Sequence, residues 1–132
     1  LSFAIQLSPG RSIDAAVARE LPLLGGGKMP MSGVGLCCRA SAKGDAVRQG
    51  VLDFLLLGGR HLDSAQLYDN HREVGLGLRQ AIEQGVPREE IFIWPAEFGF
   101  EDASAWVPRM LGELGVDYVD LVLLHTPKVD KQ

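Results

Sequence analysis

The chain has 132 residues, of which 46% are apolar, and a formal charge of −4, the profile of one globular domain at most. Charged residues make up 23%, with both signs present and no block of like charge, which argues against a nucleic-acid partner, since phosphates call for a clustered basic face. The longest uncharged apolar stretch, Phe54 to Leu57 with the two glycines after it, falls far short of the roughly 20 residues of a membrane span.

Residues 1–20 read as an N-terminal extension, in which Ser8-Pro9-Gly10 makes a turn and Ser12 caps a short helix with Ile13, Ala16 and Val17 on its apolar side. The chain opens at Leu1 rather than Met, which fits either a soluble cytoplasmic protein that has been trimmed or one in an organelle lumen after removal of a targeting peptide. Residues 21–132 form the domain. The run Gly25-Gly26-Gly27-Lys28 invites comparison with a phosphate loop, but Met29 stands where Ser or Thr should meet magnesium, so the motif is rejected.

An alternation of strands and helices follows. The apolar run Val34 to Cys38 has strand length and composition, and its adjacent cysteines, Cys37 and Cys38, read as free thiols. From Lys43 to Leu57 the positions Val47, Val51, Phe54 and Leu55 recur at helical spacing, with Gly58-Gly59 as the stop. Arg60 to Ala65 is the second strand. Asp69 or Asn70 caps the next helix, whose buried stripe is Val74, Leu78, Ala81 and Ile82 and whose end is Gly85-Val86-Pro87. Ile91 to Trp94 is the third strand. A helix over 102–115 contains Pro108 and Gly112, so it is expected to be short, kinked or to begin at Pro108. Asp117 to His125 is the fourth strand, with Val119, Leu121, Leu123 and His125 on one face. About four β/α units in a row imply an α/β fold with parallel strands, either an open doubly wound sheet or part of a closed barrel. The open sheet would bind a nucleotide beside Gly33 and Gly35.

Specific residues narrow that choice: Met29-Pro30, Gly33-Val34-Gly35, Arg60 to Tyr68 (RHLDSAQLY), Asn70 with Val74-Gly75, Gly85 to Ile93 (GVPREEIFI) and Leu114 to Pro127 (LGVDYVDLVLLHTP). In that order and spacing the chain resembles the aldo-keto reductases over about residues 21–127. The resemblance implies a partial (β/α)8 TIM barrel holding the N-terminal half, since such barrels usually need at least 200 residues. In that family hydride from NADPH reduces a carbonyl while a tyrosine donates the proton. A lysine paired with an aspartate lowers the tyrosine's pKa, and a histidine positions the carbonyl. The matching catalytic positions are Asp63, Tyr68 and His125, and the weaker cofactor positions are Gly35, Leu36 and Asp63.

Two departures bear on function. Counting from Ile91, the lysine position is Ala96, or Glu97 with a one-residue slip, and no lysine occurs between Lys43 and Lys128. Tyrosine titrates near pH 10 when nothing perturbs it, so without an adjacent cation Tyr68 is a weak general acid. A carboxylate nearby would oppose its ionisation further. The residues that in the family grip nicotinamide and the adenosine phosphate come mainly from later strands, so no tightly bound cofactor is expected, and NADPH only if the protein is active. A smaller departure is His71, where the family usually has glutamate; it reads as a surface residue. His61 reads as a hydrogen-bonded core histidine, and no metal is expected. Trp94 and Trp106 read as core or rim aromatics that would dock a partner only because the barrel is partial.

These features imply an aldo-keto-reductase-like pseudoenzyme: a non-catalytic structural subunit of a larger complex, its open barrel edges covered by another protein or a second copy. The alternative is an NADPH-dependent carbonyl reductase completed by a second chain or a longer polypeptide.

Overall fold

The computed structural model describes residues 19–37, 43–97 and 103–124; the helix expected at Ser12, as well as Cys38 and His125, lies outside them. The first ordered unit is an antiparallel hairpin of β1 (Glu20–Pro22) and β2 (Lys28–Pro30). The glycine run is its turn, closed by Leu23 N donating to Gly27 O at 2.8 Å, and Lys28 is engaged with Glu20 at 3.4 Å.

Beyond the hairpin come β3 (Val34–Gly35), α1 (Asp45–Leu56), β4 (His61–Ala65), α2 (His71–Glu83), β5 (Phe92–Glu97), α3 (Ala103–Leu114) and β6 (Leu123–Leu124). Short 3-10 turns at Gln66–Tyr68 and Arg88–Glu90 lead into α2 and β5. The four strands β3 to β6 are parallel and lie in chain order. A doubly wound sheet reverses its strand order at a switch point. No reversal occurs among the described strands, and the helices packed against them share one cluster, an arrangement that fits a segment of a barrel wall rather than a switch point.

The helices pack on one side of this wall because their apolar stripes match its outward residues. Val47, Val51, Leu52 and Leu55 of α1, with Val74, Leu78 and Ala81 of α2, form one cluster with Leu36, Leu62 and Ile93. Each large aliphatic buried there contributes about 1.5–3 kcal/mol. Ile82, expected in the α2 stripe, is 37% exposed, because the stripe turns instead through Gly75 and Gly77. Those two glycines let backbones approach: a Cβ on Gly75 would stand 2.5 Å from Leu114 O of α3. One on Gly77 would run into Arg48 O of α1.

Three boundaries differ from expectation. The α3 helix runs unbroken from Ala103 to Leu114 with Pro108 inside it, one hydrogen bond short but anchored by Met110 and Leu114, which are 2% and 1% exposed. The first strand is two residues rather than five. The expected fourth strand over 117–125 is only Leu123–Leu124 among the described residues. The cause lies in β5, whose Ile93, Pro95 and Glu97 turn their backbone groups toward β6 by the alternation of a strand. The Ile93 amide donates to the Asp120 carboxylate at 2.9 Å rather than to a backbone carbonyl, and Pro95 has no N–H to give. The ladder therefore begins only at Ala96 opposite Leu123. Val119 packs against the helix-side cluster, so it does not line the inner face as expected.

Candidate functional site

Alternation on β4 sends Leu62 and Ser64 toward the helices and His61, Asp63 and Ala65 to the opposite, inner face. Parallel register places the neighbours: Asp63 lies beside Gly35 on one side and Trp94 on the other, and Ala65 lies beside Ala96. The position expected to hold lysine is therefore on the same face as Asp63, one same-face step toward the C-terminal rim, and its side chain is a methyl group. Ala96, rather than Glu97, is the residue aligned with this face.

At the rim, the chain leaving β4 turns through Gln66–Tyr68, and Asp69 adopts a left-handed conformation at φ 50°. This turn brings the Tyr68 phenol within electrostatic range of Asp63. Partial burial, and after it the Asp63 charge, hold the phenol above its ordinary value near 10. Both effects disfavour the phenolate. Lys43 also reaches this rim, with Nζ 3.2 Å from Asp69 Oδ2. That pair is exposed, and Lys43 is not among the groups that move Tyr68.

Asn70 occupies the N-cap position of α2 but makes no side-chain cap bond. Its Nδ2 donates instead to Leu36 O at 2.9 Å, in a site where the residue is 1% exposed. The amide thus ties the chain leaving β3 to the Tyr68 turn. Leu36 N in turn donates to Asp63 O at 3.1 Å. Among the proposed cofactor positions, Gly35 lies beside Asp63, where an added Cβ would make only ordinary contact at 3.5 Å with Oδ2. The Leu36 side chain belongs to the core.

The remaining sequence-predicted residues separate by depth. His61 is a core histidine: its Nδ1 donates to Pro30 O at 2.7 Å, and Phe92 and Trp94 meet its ring edge to face. Trp106 packs against the core from α3. Cys37, expected as a free thiol, is disulfide-bonded. His71, expected at the surface, is 5% exposed, because α3 folds over it and sets Glu113 Oε2 3.6 Å from Nδ1. Burial lowers its pKa, an effect that Glu113 partly opposes. No local pattern marks His71 as buried, since α3 comes later in the chain. The candidate His125 lies outside the described residues. A hollow of about 590 Å³ lined by Glu20, Lys28, Pro30, Arg60, Phe92 and Asp120 opens at the N-terminal end of the strands, away from Tyr68. It is not the candidate site.

For a dinucleotide, the described inner face, formed by Gly35, His61, Asp63, Ala65, Phe92, Trp94, Ala96 and Leu123, carries one carboxylate and no cation.

Comparison with known proteins is consistent with this arrangement. A model of the Aldo/keto reductase family matches residues 24–132. A D/L-glyceraldehyde reductase of Hypocrea jecorina is 40% identical over 92% of this chain and 35% of its own length. An aldehyde reductase of Saccharomyces cerevisiae is 39% identical over 81% of this chain and 33% of its own. Among solved structures, a Bombyx mori aldo-keto reductase in complex with NADP superposes with a TM-score of 0.72 at 32% identity, covering 83% of this chain and 38% of that one. The chain thus spans about a third of the length of the relatives it matches.

Proposed function

This chain belongs to the aldo/keto reductase family, and from that premise we propose that it is a non-catalytic member, a structural subunit contributing the N-terminal half of a barrel. The observation that carries the reading is Ala96. It stands on the inner face beside Ala65, one step from Asp63, where the family's chemistry calls for an ammonium group. A cation there would favour the phenolate and make Tyr68 a usable acid near neutral pH. In its absence the two influences on the phenol, burial and Asp63, both push the other way.

The proposed partner is suggested by the sheet edges. Among the described strands, β3 and β6 each have one neighbour and so one open side, and open edges of this kind recruit further strands. Another protein, or a second copy, covering these edges would supply the remaining barrel wall. Tight binding of NADPH by this chain alone is not expected, because its described inner face has no cation for the phosphates.

The test is NADPH oxidation by the purified chain with glyceraldehyde as substrate. We expect a rate equal to that without protein, unchanged by Tyr68→Phe; turnover that Tyr68→Phe abolishes would overturn the proposal. One observation favours a second reading, an NADPH-dependent carbonyl reductase completed by a second chain or a longer polypeptide. Asp63 and Tyr68 lie in electrostatic range of one another at the C-terminal rim, where barrel enzymes build their sites. That reading requires a cation delivered to Tyr68 from outside the described residues.

A further inference from the structure

The first residue of α2 supplies an independent inference. The His71 imidazole is sealed between the start of α2 and the middle of α3 at 5% exposure. Its Nδ1 faces Glu113 Oε2 at 3.6 Å, an ion-pair distance once the ring is charged. Its Nε2 is buried and has no hydrogen-bond partner among the described residues. Neutral imidazole tolerates this, with its proton on Nδ1 and a bare lone pair on Nε2. A second proton would create an N–H donor at the buried Nε2 with no acceptor among the described residues, a destabilising state. The charged groups facing the ring are Glu113 and Arg109 from α3, themselves joined at 3.0 Å, and Asp69 from the preceding turn. His71 and Asn70 themselves line a hollow of about 350 Å³ with Asp69, Arg72, Glu73, Arg109 and Glu113, so one edge of the residue borders open space while Nε2 stays buried.

We propose that this seam is an acid-operated latch: with His71 neutral, α2 and α3 are closed at this end, and proton uptake by His71 opens them and releases the Tyr68 turn. The release is mechanical, because His71 directly follows Asn70, whose amide holds Leu36 O. The lowered pKa of His71, caused first by burial and partly opposed by Glu113, agrees in sign. The open form binds the proton more readily, so closure is fully favoured above the ordinary histidine value near 6.5 and weakens as pH falls below it.

Urea unfolding of the full chain at pH 7.5 and pH 5.5 tests the latch with wild type, H71Q and E113Q. Wild type should lose more of its folding constant on acidification than H71Q does, by up to about tenfold per pH unit for one proton. E113Q should lose still more, since it removes the group that favours the charged ring. Equal losses in wild type and H71Q, or a smaller loss in E113Q, would overturn the proposal. Should H71Q not fold, hydrogen-exchange protection in wild type decides. Protection lost on acidification at residues 69–75 and 106–113, with β4 and β5 unchanged, supports the latch, and a uniform loss refutes it.

Discussion

The two faces of the sheet behave as different kinds of surface. Outward, Leu62 and Ile93 are fully buried under α1 and α2, and the helices approach closely enough that Gly75 and Gly77 cannot carry a side chain without displacing backbone. Inward, Asp63, Trp94 and Ala96 are only partly covered, and among the described residues position 96, one step along the face from Asp63, carries a methyl group. The packing face is filled by aliphatic side chains, while the described inner face sets Asp63 beside Gly35 and Trp94. Packing and the candidate site therefore rest on separate residues, and each can be altered alone.

The largest effect is expected on the packing face. Gly75→Ala should destabilise the fold by about 2 kcal/mol or more, because the clash is with the Leu114 carbonyl rather than a flexible side chain. Gly112→Ala, where an added Cβ meets nothing within 4 Å, should stabilise by about 0.5–1 kcal/mol, as expected for an open helix position. Thermal melts of the pair separate close approach from helix propensity.

Next in size is the Asp120 joint. Asp120→Ala leaves the Ile93 amide without its acceptor and removes the partner of Arg88 at 3.3 Å. The cost should be about 1–3 kcal/mol, with faster hydrogen exchange at Ile93 than at Leu62.

A change on the inner face should spare stability and move chemistry. Ala96→Lys is expected to lower the Tyr68 pKa, reversing the present direction, as seen by ultraviolet titration of the phenol. An unchanged titration would show that position 96 does not reach the tyrosine and would blur the contrast between the faces. The smallest effect is expected at the exposed Lys43–Asp69 pair, where Lys43→Ala should change stability by about 0–1 kcal/mol and less in high salt.

Much of the fold is legible in the sequence because it is periodic. The α1 stripe through Val47, Val51 and Leu55, and the glycine stop after it, follow from spacing alone, and the strand expected over Arg60 to Ala65 is β4 at His61–Ala65. Where the reading failed, the missing information was a distant partner. The fourth strand looked complete because Val119, Leu121 and Leu123 alternate, yet an Asp120 oxygen and the imide of Pro95, both invisible to periodicity, stop the ladder short. His71 looked exposed because it begins a helix, and only α3, folding back over it, buries it. Asp69 or Asn70 was expected to cap the helix; Asn70 stands at the N-cap, but its side chain holds Leu36 O, 34 residues away.

The sequence by itself determined the order of strands and helices, the family resemblance and the absence of a lysine near residue 96, all properties of residues close together along the chain. Only the tertiary structure decided that the sheet is a barrel wall, that Ala96 shares a face with Asp63, and that His71 is sealed against Glu113. Those facts depend on strand register and helix docking, which bring together groups that chain spacing leaves far apart.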